Sequence, residues 1–179
     1  MPVSAIAVLT CLVIGVSDGD TLTAKCPVPR GPDVVKIRLS GIDAPEKNQA
    51  FGRVSKQSLT ALTQNKAVDV ECHKVDRYDR HVCKVAAGGI DVGLQQVRAG
   101  MAWHYKAFER EQSPDERAAY SSSELSAQVA KRGLWQDAEP VPPWQWRKAH
   151  PCAFNRPASS WRTSIRNARH EPSTPNQRR

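Results

Sequence analysis

CLVIGVSDGDTLTAKC, residues 11–26, is the stretch on which the fold turns. Its first six residues are apolar and rich in β-branched side chains, and its last seven again suit a strand. Between them stands Asp18-Gly19. That pair is the strongest short signal for a two-residue hairpin turn, because both residues tolerate positive φ. A turn centred there sets Cys11 opposite Cys26, within the roughly 4.4–6.8 Å Cα separation that a disulfide accepts. A disulfide across the hairpin is therefore expected, with two free thiols as the alternative.

Downstream, residues 27–33 are a loop built from proline, glycine and charge. Residues 34–42 read as a third strand, with Val35, Ile37 and Leu39 on one face. Asp43-Ala44-Pro45-Glu46 ends it, since proline cannot continue the ladder. Residues 53–65 read as a helix with Val54, Leu59 and Leu62 as its apolar stripe. Residues 68–75 and 81–87 form a further strand pair joined by 76–80, in which Cys72 and Cys83 could face each other. A zinc site from Cys72, His73, His81 and Cys83 is disfavoured, because adjacent strand residues point to opposite faces.

Residues 91–99 read as a short helix ending at Gly100, and 101–105 as a short extended piece. Ser113-Pro114-Asp115-Glu116 opens a longer helix, with Ser113 as N-cap, Pro114 at the first helical position and Glu116 completing a capping box. Leu125 and Val129 are expected on its buried face, and Gly133 at its left-handed stop. Residues 142–146, PPWQW, are expected to pack back on the body. Strands with interleaved helices indicate an α+β fold, and five such strands can close into a small oligonucleotide-binding barrel.

The chain has 179 residues, enough for one domain with its own core. No apolar stretch reaches the ~18 residues of a membrane-spanning helix. The net charge of +8 is unevenly placed. Residues 147–179 hold eight Lys or Arg and one acid, which leaves 18 basic and 17 acidic groups before them. Basicity therefore belongs to the C-terminal end of the chain, whose residues 149–179 are expected to be a largely disordered tail. Such a tail suits polyanions such as nucleic acid or an acidic membrane surface; a solvated tail aiding solubility is the alternative. Residues 5–14 are apolar apart from Thr10 and could be the core of a signal sequence, without a basic leader or cleavage site. We read residues 1–10 as an N-terminal segment, a possible signal remnant, and 11–148 as the folded domain. The five cysteines include no Cys-x-x-Cys pair, which sets aside a redox motif. Disulfides would point to an oxidising compartment and hence to export, periplasmic or secreted. Cys152 has no obvious partner.

Acids and arginines collect at the strand ends: Asp20, Arg38, Asp43, Glu46 and Arg80. Phosphodiester hydrolysis needs fixed cations where negative charge develops on the phosphoryl oxygens. Arginine suits this with its planar, always protonated fork. A hard metal ion adds Lewis acidity and takes carboxylate or carbonyl oxygens. One more carboxylate can orient or deprotonate the attacking water. Taken alone, such a set also fits structural salt bridges. Arg38 is the more telling member, because a charge inside an apolar strand needs a partner or a ligand. A Ser/His/Asp hydrolase finds no nucleophile-elbow motif here.

The spacing is more specific. Ser17-Asp18-Gly19-Asp20-Thr21, then Ile37-Arg38-Leu39, Ile42-Asp43-Ala44-Pro45-Glu46 and Asp76-Arg77-Tyr78-Asp79-Arg80, closely resembles the staphylococcal-nuclease-like (thermonuclease) family. Gly133-Leu134-Trp135 fits it too, and Trp144-Gln145-Trp146-Arg147 looks like its secreted bacterial members. The resemblance implies a five-stranded OB-fold β-barrel with three α-helices. It implies calcium-dependent hydrolysis of DNA and RNA, leaving 3′-phosphate ends. By position, Asp20 and Asp43 match the calcium carboxylates and Ala44 a backbone-carbonyl ligand. Arg38 and Arg80 match the phosphate-binding arginines, and Glu46 the acid that positions or activates water. Asp79 stands where the family usually has glycine, so a shifted turn or reduced activity is expected. Tyr105, Phe108 and His104, near Trp103, are candidates for stacking on bases, with core packing as the alternative. The competing reading is a catalytically weakened nucleic-acid-binding module on the same barrel. No protein partner is implied, and a monomer is expected.

Overall fold

The computed structural model describes residues 8–27 and 34–151. The expectations for residues 1–7, for most of the 27–33 loop, for Cys152 and for the tail from 152 onward lie outside these.

Strand β1 (Val8–Asp18) hairpins into β2 (Thr21–Lys25), which pairs with β3 (Val34–Leu39). On its other edge β1 pairs with β5 (Ala67–Val75), and β5 with β6 (His81–Ala87), all antiparallel. A parallel pairing of β3 with β6, Ile37 to His81 and Leu39 to Cys83, closes the five strands into a barrel. Closure removes the open edges that a flat sheet would expose. Alternation does the filling: Cys11 and Val13 of β1, Ile37 and Leu39 of β3, Val68 and Val70 of β5 and Cys83 and Val85 of β6 all point inward. Each such buried aliphatic side chain contributes roughly 1.5–3 kcal/mol.

The first hairpin differs from the simplest reading. Its turn is centred on Gly19-Asp20, with Asp18 opposite Thr21, one residue later than Asp18-Gly19. Two register shifts in β1, between Val13 and Gly15 and between Val16 and Asp18, then restore Leu12 to a place opposite Lys25. Cys11 and Cys26 consequently meet, 4.4 Å apart at Cα, in the expected disulfide. Cys72 and Cys83 are bonded across β5 and β6, which rules out the zinc alternative. β1 also begins earlier than Cys11: Val8, Leu9 and Thr10 pair with Glu71, Val70 and Asp69.

The third strand stops at Leu39 and not at 42. Gly41 takes a φ of 74°, and Ile42 and Asp43 leave the barrel as β4 (Ile42–Asp43), which pairs with β8 (Trp103–His104). A two-residue β7 (Ile90–Asp91) adds to β6. Helix α1 (Gly52–Thr63) buries Leu59 but leaves Val54 exposed. Helix α2 (Val92–Arg98) is capped by Asp91, whose side chain accepts from the Leu94 N–H. Helix α3 (Pro114–Val129) opens with the complete capping box of Ser113 and Glu116. Its buried face is not the one expected. Leu125 and Val129 are 60% and 78% exposed, and Tyr120, Ser123, Glu124 and Ala127 face inward instead. The left-handed residue after α3 is Lys131; Gly133, also at positive φ, serves a close approach to the Gly100 carbonyl, which accepts from Leu134 N–H. A fourth short helix, α4 (Pro143–Ala149), follows. Trp144 on it stacks on Tyr105 at 5.5 Å and meets Trp103 edge-on, so the tryptophan-rich segment does pack back. The described residues up to Trp146 form one compact unit, and residues 147–151 belong to a second. Among the described residues no helix is long and apolar enough to cross a membrane.

Candidate active site

The β1–β2 turn is fastened before it carries any chemistry. A Cβ on Gly19 would fall 1.8 Å from Ser55 Oγ, so only glycine lets the turn lie against α1. The Gly19 carbonyl accepts from Gln96 Nε2 at 2.8 Å, and the same amide nitrogen donates to the Ser55 carbonyl at 3.1 Å. Ser58 Oγ donates to Gln96 Oε1. Gln96 is fully buried and thus ties the turn to α1 from its own position on α2.

Asp20, at the end of this turn, is 6% exposed. Its Oδ1 accepts from Thr21 Oγ1 at 3.0 Å, and its Oδ2 from the Ala44 N–H at 2.8 Å. Arg38 reaches the site because Thr21 pairs with it across β2 and β3. Its Nη1 lies 3.0 Å from Asp20 Oδ2 and also donates to the Leu39 carbonyl, and its Nη2 lies 2.9 Å from Asp43 Oδ1. Asp43 is 1% exposed, held in place by β4. One guanidinium therefore spans two buried carboxylates. Such a pair is stable only with its hydrogen bonds complete, and losing one partner leaves uncompensated charge.

Glu46 lies two residues beyond Ala44 and is half-buried. Its N–H donates to Gln49 Oε1 and its carbonyl accepts from Gln49 N–H. Gly52, whose Cβ would fall 2.0 Å from the Glu46 carbonyl, lets α1 close over this loop. Gln49 in turn donates to the Val141 carbonyl.

Arg80 enters from the loop between β5 and β6. Its Nη1 is 3.4 Å from Thr21 Oγ1, so it reaches the residue next to Asp20. Asp79 adopts a φ of 59°, taking the left-handed conformation usual for glycine. It does not hold Arg80. The partner is Asp76, with Oδ2 2.8 Å from Nε and 2.7 Å from Nη2. Asp76 Oδ1 accepts from the Tyr78 and Arg80 N–H groups, which shapes the loop. Burial works against the Asp76 charge, but the hydrogen bonds from Arg80 and these backbone donors outweigh it and hold the carboxyl below its usual range. Asp18, whose Oδ1 accepts from Asp20 N–H, is pushed the other way. Burial first, then the neighbouring charge of Asp20, raise its carboxyl to about 7.

Asp20, Arg38, Asp43 and Ala44 thus share one hydrogen-bonded cluster, and Arg80 adjoins it through Thr21. Asp20 and Asp43 set two carboxylates against the single charge of Arg38, an acidic surplus that a cation would offset. Among the described residues no group of three His, Cys, Asp or Glu side chains is placed for a metal. A cation here would take two carboxylates and complete its shell with backbone carbonyl and water. That all-oxygen set suits a hard ion and not one preferring nitrogen or sulfur.

His104 does not suit stacking on a base. It is 1% exposed, its ring nitrogens face Gln112 and Ser121, and its N–H donates to buried Glu124. β8 turns it inward against Tyr120. Tyr105 is partly exposed and Phe108 is 44% exposed, and the two meet edge-on at 5.1 Å with Lys74 over the Phe108 ring. Trp103 packs between Trp135 and Trp144. Reading the sequence by motif passed over Thr21, Asp76 and Gln96 as individual contributors. Asp76 carried a signal as an acid opening a turn, and Gln96 as an amide four residues after Val92 on the buried face of a helix.

The model of the family described as Staphylococcal nuclease homologue matches residues 36–137. An "uncharacterized endonuclease" of Haemophilus influenzae is 40% identical over 139 residues, which covers 78% of this chain and 73% of that protein. An "uncharacterized endonuclease" of Escherichia coli O157:H7 is 40% identical over 136 residues, covering 75% of this chain and 82% of that protein. A "probable staphylococcal-like nuclease CAN1" of rice is 36% identical over 126 residues, 68% of this chain but only 36% of that longer protein.

Proposed function

Because the chain belongs to the staphylococcal nuclease homologue family, a family of nucleases, we propose that it is a calcium-dependent endonuclease cleaving DNA and RNA to 3′-phosphate ends. The observation that carries this reading is the Arg38 fork held between Asp20 and Asp43 at 3.0 and 2.9 Å, with Arg80 touching Thr21 beside them. Two guanidiniums and two buried acids in one place match the demands of a phosphoryl transition state.

Asp20, Asp43 and the Ala44 carbonyl would hold the calcium ion. When bound, it neutralises charge on the phosphoryl oxygens and acts as a Lewis acid. The chain's own residues do the rest. Arg38 and Arg80 donate to phosphoryl oxygens, and each retains guanidinium N–H groups for that purpose beyond its present bonds. Glu46 orients the attacking water and takes its proton. The water oxygen bonds to phosphorus as the bond to the 5′ oxygen breaks; that oxygen takes a proton from solvent and leaves as a hydroxyl, and the phosphate stays on the 3′ side. Tyr105 and Phe108 offer rings to flanking bases without demanding a sequence. The two disulfides favour an oxidising compartment, so export to the periplasm or medium belongs to the same proposal. The basic C-terminal segment would strengthen binding through counterion release.

The experiment incubates the full chain with DNA or RNA under calcium, magnesium or chelator, and identifies the product ends. Cleavage of both polymers with calcium, 3′-phosphate ends and none with chelator is expected. Intact polymers under calcium refute the reading, and binding without cleavage favours the weakened module.

A further inference from the structure

Outside the acidic cluster, a groove of about 480 Å³ runs along α1 from Gly52 to Ala61. That volume lies in the range of ligand sites. Lys47, Arg53 and Lys56 line it, with Gln57 and Thr60 adding polar groups. All three cations are exposed, and among the described residues none is engaged in an ion pair or side-chain hydrogen bond. Arg53 and Lys56 are three residues apart on one helix and share a face. The remaining charged lining group is Asp18, at the end next to the catalytic turn. Three like charges around one concavity repel each other, and each has a solvated alternative. Three exposed cations lining one concavity give it a positive potential that favours an anion.

We propose that this groove is a second phosphate-binding subsite, which seats the nucleic-acid strand away from the scissile bond. The proposal rests on the nuclease reading above and adds the path of the strand. The groove abuts the catalytic cluster at two points. Asp18 accepts from the Asp20 N–H, and Gly52, also in the lining, lies against the Glu46 carbonyl. A strand leaving the cluster on this side therefore enters the groove directly. Arg53 and Lys56, at the end away from Asp18, would seat the phosphate. No aromatic ring lines the groove. It consequently holds backbone and leaves bases unread, which makes its contribution independent of sequence.

The test compares the full chain with an Arg53→Gln/Lys56→Gln variant and a charge-keeping Arg53→Lys/Lys56→Arg variant. Both changes are on exposed positions. Binding of a single-stranded DNA of about 20 nucleotides is followed by fluorescence anisotropy with chelator present, across a salt series. The neutral variant is expected to bind about tenfold more weakly, with a salt slope shallower by about 1.4, two phosphate contacts at ~0.7 each. The charge-keeping variant restores both. In calcium, the ratio of kcat/KM on that strand to kcat/KM on a small nitrophenyl nucleotide diester should fall by a similar factor. Equal affinity and slope in all three proteins overturn the subsite. If the wild type fails to cleave under calcium, the nuclease reading falls instead, and the anisotropy series still decides whether the groove binds the strand.

Discussion

Arg38 answers to two neighbours at once. Its fork reaches Asp20 with one nitrogen and Asp43 with the other, a span that a single ammonium cannot reproduce. Arg38→Lys is therefore expected to lose at least ~10²-fold in kcat, the scale of one oriented transition-state contact, while remaining folded. Steady-state kinetics beside a thermal melt checks this, and activity within a fewfold of wild type would contradict it. Arg38 was legible as a charge inside an apolar strand. Gln96 was legible only as a position on the buried face of α2, because an amide's partners on other elements leave no local pattern. Gln96→Leu removes the donor to the Gly19 and Ser55 carbonyls. It should cost about 1–3 kcal/mol in denaturant unfolding and raise the calcium needed for half-maximal rate. A stability loss without any change in calcium dependence would mean that Gln96 holds the core and not the turn. Asp79 was legible as a departure from the family pattern, but the identity of Arg80's partner was not. Only the loop geometry selects Asp76 over Asp79.

A local signal located the start of α3 but misplaced the first hairpin turn by one residue. The capping box of α3 follows from four consecutive residues and stands, whereas Asp91, read as the first residue of a helix, proves to be the cap of α2. Which face a helix buries depends on what surrounds it. On α3 the inward positions 120, 123, 124 and 127 keep the helical period, but they are occupied largely by small or polar residues. Apolarity alone therefore pointed to Leu125 and Val129, which lie outside. The same holds for Val54 on α1, and for β1, whose two register shifts no residue announces. The 76–80 loop makes a prediction at this scale. Asp76 has a folded-state pKa below its unfolded value, so on acidification the unfolded chain binds the proton first. The stability it supplies is present above about pH 4 and is lost as pH falls through the folded-state pKa. Asp76→Asn should accordingly flatten the acid limb of a Tm-versus-pH curve below about pH 4. An acid limb identical to wild type would show that the Asp76–Arg80 pair is energetically idle.

At the scale of the molecule, barrel closure brings β3 beside β6, and so carries Arg38 and Arg80 to the same end of the barrel as the β1–β2 turn. The α+β class and the five-strand barrel were within reach of the sequence because strand runs, turns and motif order agree. The parallel closing pair was not, since nothing in either strand marks its partner. The disulfides fasten two of the hairpins that closure depends on. Chain-entropy reasoning gives about 3 kcal/mol for a loop of roughly 15 residues. Melting with and without reductant should show Tm lower by at least ~10 °C in the reduced protein. An unchanged Tm would leave the bridges without a stabilising role.

The central claim is that buried acids and guanidiniums gathered at one barrel end cleave phosphodiesters with a hard cation. The most direct test follows cleavage of single-stranded DNA against calcium concentration, in the wild type and in Asp43→Asn. The wild-type rate should rise to saturation with calcium and vanish with chelator, and the variant should lose at least ~10²-fold. Cleavage that survives chelation, or an undiminished Asp43→Asn, would contradict it.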